Sequence, residues 1–179
     1  MNLSNYNHSF TLKNKLLRVL WNITWFILFR PFASRLFKKY RVLVLKCFGA
    51  KIDWSSHIYA SVRIWAPWNL RIGKNSSIGP ESDCYNQGTI SIGDNTVISQ
   101  KTYLCASTHN YNKTDFPLIL KPITIGDGVW VAAGAFIGPG IVIKDYAIVA
   151  ACSVVSKNVD QNTIVGGNPA KFIKFRNFE

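Results

Sequence analysis

The sequence predicts an all-β solenoid of about five triangular coils preceded by a helical segment, and three observations carry that prediction. From residue 52 an aliphatic side chain recurs at nearly every sixth position, with a two-residue extension at 64–72 and again at 84–92; the fourth residue after it is usually small or β-branched, and Gly or Asn often falls between them. A six-residue unit matches neither the helical period nor simple strand alternation, so each unit reads as a short strand plus a turn. Three units then close one coil.

The periodic positions run Ile52, Ile58 and Ile64; Ile72, Ile78 and Cys84; Ile92, Ile98 and Leu104. After a pause over 110–124 they resume at Ile125, Val131, Ile137, Ile143, Val149 and Val155. These side chains are expected to point inward, with residues such as Ser56, Ser76, Thr96, Thr108 and Ala147 packing beside them. In IGKNS, IGDNT and IGDGV the Gly or Asn is expected to supply the strained corner conformation. Five coils stacked at about 4.8 Å make a prism about 24 Å long. The chain therefore divides into a basic helical segment over 1–49, a prism over 50–160 with an excursion at 110–124, and a C-terminal segment over 161–179.

A chain of 179 residues with 48% apolar content suits one folded unit with a real core. Its net charge of +12 is unevenly placed: residues 1–52 hold ten Lys or Arg and no acid, whereas 53–179 carry eleven bases against nine acids. Nucleic acid is therefore not an expected partner of the prism. Within 13–30 the longest charge-free run is Val19 to Phe29, short of the ~20 residues that span a bilayer. That run ends in Arg30-Pro31 without a small-x-small cleavage site, so it reads as part of the mature protein.

Over 35–49, Leu36 or Phe37, Tyr40, Leu43 or Val44, and Cys47 or Phe48 recur three to four residues apart, which predicts an amphipathic basic helix ending near Gly49. Together with Trp21 and Trp25 this segment has two readings. One is peripheral contact with an anionic membrane, on the inner face of the cytoplasmic membrane; the other is a cap on the open end of the prism. The four cysteines, Cys47, Cys84, Cys105 and Cys152, lack CxxC spacing and read as buried thiols of a reducing, cytoplasmic compartment, with no disulfide framework and no zinc site.

The sequence resembles the hexapeptide-repeat acyltransferases, whose fold is a left-handed parallel β-helix and which mostly form trimers. FGAKI at 48–52, SVRIWAPWNLRIG at 61–73, KPITIGDGVWVAAGAFIGPG at 121–140 and IVGGNPAKFIK at 164–174 are similar to the sugar O-acetyltransferases of capsule and colanic-acid biosynthesis. Galactoside, maltose and nodulation-factor O-acetyltransferases are more distant relatives by this resemblance. It implies acetyl-CoA as co-substrate, no metal, a homotrimer, and a sugar or lipid-linked oligosaccharide acceptor.

His109, in LCASTHNY, stands where the solenoid is interrupted, and an excursion from a regular solenoid is where function concentrates. The resemblance makes it the general base that takes a proton from the sugar hydroxyl, a task suited to imidazole with its ordinary pKa of about 6.5. The branch commonly has Asp after this His; here the residue is Asn110. By the same resemblance Asn86 meets the acceptor or the reacting centre, although NQG alone reads as a turn, and Trp130 lies beside the histidine. Ala133, Gly134, Ala151 and Ser156 match positions lining the pantetheine channel, and Lys171 and Lys174 match basic positions near the nucleotide phosphates. His8 and His57 read as surface or packing residues. A Cys105–His109 nucleophile pair is disfavoured, because Cys105 is expected to begin a turn and the family transfers acetyl directly.

Other functions on the same prism are constrained. A gamma-type carbonic anhydrase needs three histidines, and only His57 and His109 fall in the prism. Serine acetyltransferases carry a large helical N-terminal domain that about fifty residues cannot supply. An antibiotic acceptor, or a non-catalytic membrane-associated scaffold in glycan assembly, are the alternatives.

Overall fold

Each hexad folds as its period requires, and all fifteen periodic side chains lie inside, none more than 5% exposed. The structure, a computed structural model, describes residues 10–178, so His8 lies outside the described residues. The first coil comprises β1 (Lys51–Ile52), β2 (His57–Ile58) and β3 (Arg63–Ile64), and the second β4 (Leu70–Ile72), β5 (Ser77–Ile78) and β6 (Asp83–Tyr85). The third contains β7 (Ile90–Ile92), β8 (Val97–Ile98) and β9 (Tyr103–Cys105), and then a hairpin of β10 (Ser107–His109) and β11 (Leu118–Leu120) leaves the prism. The fourth and fifth coils follow as β12 (Ile123–Ile125), β13 (Trp130–Val131), β14 (Phe136–Ile137), β15 (Val142–Ile143), β16 (Ile148–Val149) and β17 (Val154–Val155).

Equivalent strands stack in parallel register, as in Lys51↔Arg71, His57↔Ser77 and Arg63↔Asp83. The prism thus has a first face of β1, β4, β7, β12 and β15, a second containing β2, β5, β8, β13 and β16, and a third of β3, β6, β9, β14 and β17. Past the fifth coil Val159 bridges Ile143, and β18 (Thr163–Gly166) extends the second face, so the parallel stack continues to Gly166. The exposed strand β19 (Lys171–Phe175) folds back antiparallel on β18.

The small residues do more than fill space. The buried Ser76 and Thr96 hydroxyls donate to the carbonyls of Gly93 (2.6 Å) and Gly126 (2.7 Å) in the next coil, Ser82 donates to Ser99 (2.9 Å), and Ser56 bonds Gly73 in the same way. Each hydroxyl therefore ties two coils together while satisfying itself in the interior. Thr108 departs from the pattern because it sits half-buried on the hairpin.

The corner glycines correct one expectation. Gly73, Gly93 and Gly126 do not have positive φ; a Cβ at each would collide with the carboxylate of Asp94, Asp127 or Asp145 in the following coil. Those carboxylates accept the backbone N–H groups of Lys74 (2.6 Å), Asp94 (2.7 Å) and Asp127 (2.9 Å). The left-handed conformation falls two residues later, at Asn75 (φ 54°), Asn95 (φ 53°) and Gly128 (φ 62°), where Asn tolerates it.

The N-terminal segment forms α1 (Leu12–Thr24), one π-helical turn over Trp25–Phe29, and α2 (Lys38–Cys47). Gly49, at φ 86°, closes α2: its N–H reaches Lys46 O (2.9 Å) and that of Ala50 reaches Leu45 O (3.1 Å). The segment caps the first coil. Trp21 and Trp25 donate their indole N–H to Ile64 O (2.7 Å) and Val62 O (2.9 Å), and the buried Arg41 donates to Ile58 O (2.8 Å). These bonds occupy carbonyls on the end coil of the stack. No helix among the described residues is long and apolar enough to cross a membrane.

The thiols are free, but only Cys84 is buried, which pushes its pKa far up; Cys105 is half-buried and Cys47 and Cys152 are exposed. The expectation of four buried thiols is corrected accordingly. Cys47 occupies the last position of α2 and Cys152 a corner at φ 57°, so neither follows the inward phase.

Candidate active site

The hairpin is pinned where it leaves the prism, by Ala106 N–H to Tyr85 O (3.2 Å) and Lys121 N–H to Ala106 O (3.0 Å). Its strands pair in antiparallel register with His109 opposite Leu118. Between them the chain turns through Asn110 N–H to Pro117 O (2.9 Å) and Phe116 N–H to Lys113 O (3.2 Å). Asn110 supports the turn by accepting the N–H of Asn112 (3.1 Å).

The turn brings Phe116 to φ 43° and its carbonyl oxygen to 2.6 Å from Nδ1 of the exposed His109. A carbonyl can only accept, so Nδ1 carries the proton and Nε2 is the basic nitrogen of the ring. This contact orients His109; the Asn110 carboxamide oxygen is engaged in the turn. Cys105 is the last residue of β9, not the start of a turn, and its thiol donates to Ser107 O at 3.3 Å. The Tyr103 hydroxyl, pushed up to about 12 by burial and then by Cys105, Asp83 and Tyr85, stays protonated at neutral pH.

Asn86 is fully buried, its amide accepting Ala66 N–H (3.0 Å) and donating to Ala66 O (2.6 Å). In place of an acceptor-facing amide the structure shows a clamp between two coils. Beside it, Tyr85 pairs with Cys105 in the coil from which the hairpin leaves, and the Tyr85 hydroxyl accepts Gln87 Nε2 at 3.0 Å. The side-chain oxygen of Gln87 is buried without a partner. The signal for this pair is the lengthened step between Cys84 and Ile92.

The remaining residues named from the sequence lie on other parts of the prism. Ala133 and Gly134 form the corner between second and third faces in the fourth coil, and the bond from Cys152 N–H to Ala133 O (2.9 Å) stacks Ala151 and Cys152 above them. Gly134 and Ala151 are exposed, which makes this edge a ladder of small residues. Trp130 is exposed on the second face with its indole N–H on Ser99 Oγ at 3.0 Å. Ser156 follows β17 on the edge between third and first faces, the edge His109 also leaves from. Lys171 and Lys174 are exposed on β19.

In a triangular prism the second face lies opposite the edge between the other two. One chain therefore joins His109 and Ser156 on one edge, and keeps them apart from Trp130 and from the Ala133–Ala151 ladder. Among the described residues no group of three His, Cys, Asp or Glu side chains could hold a metal ion.

Residues 122–157 match the family model described as bacterial transferase hexapeptide (six repeats). The chain is 39% identical over 138 residues to the putative colanic acid biosynthesis acetyltransferase WcaF of Escherichia coli K12, covering 77% of this chain and 76% of that protein. It superposes on a maltose O-acetyltransferase from Clostridium difficile 630 with a TM-score of 0.82 at 23% identity, covering 94% of this chain and 90% of the other. A hexapeptide-repeat acetyltransferase of Vibrio cholerae O1 biovar eltor, complexed with acetyl coenzyme A, also gives 0.82 at 23% identity, with 98% and 97% coverage. The fold of these solved structures is the left-handed parallel β-helix expected from the sequence.

Proposed function

The chain belongs to the hexapeptide-repeat acetyltransferases, and from that premise we propose that it is an acetyl-CoA-dependent O-acetyltransferase for a sugar hydroxyl of a cell-surface polysaccharide precursor. The observation that carries the chemistry is the 2.6 Å contact between His109 Nδ1 and Phe116 O, which leaves Nε2 as a base on an exposed hairpin. In the proposed step Nε2 takes the hydroxyl proton as the sugar oxygen attacks the thioester carbonyl. The new C–O bond forms, the C–S bond breaks, and the coenzyme leaves as a thiolate that recovers the proton from His109. Transfer is direct, with no acyl-enzyme.

The Ala133, Gly134 and Ala151 ladder suits an extended pantetheine arm, because it presents no bulk along an exposed edge. Lys171 and Lys174 supply positive charge for the nucleotide phosphates, while Trp130 offers an aromatic wall. These groups stand on a different edge or face from His109, which supports a homotrimer whose site is built between two prisms. Asn86 enters this reading as a positioning residue that holds the corner beneath the hairpin. The name of the E. coli relative supports a polysaccharide-related acceptor, and the acetyl coenzyme A of the Vibrio complex supports the donor. The reading includes peripheral contact with the cytoplasmic membrane through the basic N-terminal segment.

Incubation of the purified protein with acetyl-labelled coenzyme and fractionated cell-surface precursors tests the reading. Hydroxylamine-labile label in the glycan is expected. Label that accumulates on the protein without acceptor contradicts direct transfer.

A further inference from the structure

A helix on the surface of a globular protein ordinarily turns its apolar stripe inward. α1 does the reverse. Leu12, Leu16, Val19, Leu20 and Ile23 are each more than half exposed. At 100° per residue they fall within an arc of about 100°, and Phe26 extends the stripe beyond the helix. Trp21, on the opposite side, is fully buried and bonded to the first coil. The prism therefore uses only a narrow inner edge of α1, and the apolar face is presented outward by a helix anchored at Trp21 and Trp25.

Charge selects the occupant. Lys13 and Lys15 border the stripe on its two sides, and residues 1–52 hold ten Lys or Arg without one acid. A second copy that met the stripe with its own α1 would bring the same uncompensated positive segment against the first, and the two would repel. A bilayer with anionic headgroups offers the complementary charge together with an apolar layer for the stripe. We propose that the outer face of α1 docks on anionic membrane, the helix lying in the headgroup plane with its lysines reaching up from both borders. This deepens the peripheral contact in the reading above and is independent of the transfer chemistry: a chain that does not dock can still acetylate a soluble acceptor.

Cosedimentation of the full chain with vesicles of phosphatidylcholine alone, or mixed with phosphatidylglycerol, at low and high salt tests the surface. Retention on the mixed vesicles at low salt is expected, weakened but not abolished by salt because apolar burial is unscreened. Leu16→Glu with Ile23→Glu should lower retention by about tenfold or more with near-ultraviolet circular dichroism unchanged. Lys13→Glu with Lys15→Glu, which leaves the stripe intact, should remove the preference for anionic vesicles. No retention at low salt, or retention undiminished in both variants, overturns the proposal. It is overturned equally if, without vesicles, the wild-type chain sediments as a larger assembly than the Leu16→Glu, Ile23→Glu chain, since a second copy then covers the stripe.

Discussion

Nδ1 of His109 stands 2.6 Å from the carbonyl oxygen of Phe116, and that carbonyl is aimed by a backbone held at φ 43°. The tautomer of the ring therefore depends on the shape of a turn. Phe116→Pro would force φ to about −65° and remove the N–H that bonds Lys113 O, turning the carbonyl away. We expect turnover to fall by about ten- to a hundredfold with coenzyme affinity retained, since only orientation of the base is lost. Phe116→Gly, which accepts positive φ, should keep most of the activity. Steady-state kinetics of the two variants check this.

His57, on β2 of the first coil, meets the N-terminal cap at Arg41. Arg41 Nη2 lies 3.2 Å from His57 Nε2, and because guanidinium only donates, the ring is neutral there with its proton on Nδ1. Burial first, then Arg41, Lys38 and Arg35, hold its pKa below the ordinary value. Below pH about 6.5 the unfolded chain thus binds this proton more readily than the folded one. The contribution to stability is present above that pH and is lost as pH falls through the lowered native value. Urea midpoints measured from pH 7.5 down to 5 should drop less in His57→Gln than in wild type.

The division of site residues between edges makes a prediction about assembly. Sedimentation equilibrium should give three times the 20.2 kDa chain mass. Mixed trimers of His109→Ala chains and Ala151→Trp chains should recover activity that neither parent shows, because some interfaces then pair an intact histidine with an open ladder. No recovery in mixed trimers would place the whole site within one chain.

The interior was the most legible part, since a triangular coil admits only apolar side chains at its three inward points, and Ile52 through Val155 obey that period. The lengthened steps at 64–72 and 84–92 and the pause at 110–124 all fall on one edge of the prism, which a linear reading records only as irregularities. Phe116 carries no signal in the sequence because it acts through its carbonyl, which every residue possesses. Gly73, Gly93 and Gly126 stand in the sequence as glycines, but the carboxylate that requires them comes from the next coil, nineteen or more residues away. The outward stripe of α1 was hidden in the same way, because periodicity gives the arc of a helix and not the side it turns to the prism.

Turnover of His109→Ala is the most direct test of the central claim that this side chain is the base for acetyl transfer. A fall of about two to four orders of magnitude is predicted, with the assembly state and coenzyme binding unchanged. Turnover within about threefold of wild type, measured on the same acceptor, would contradict the claim.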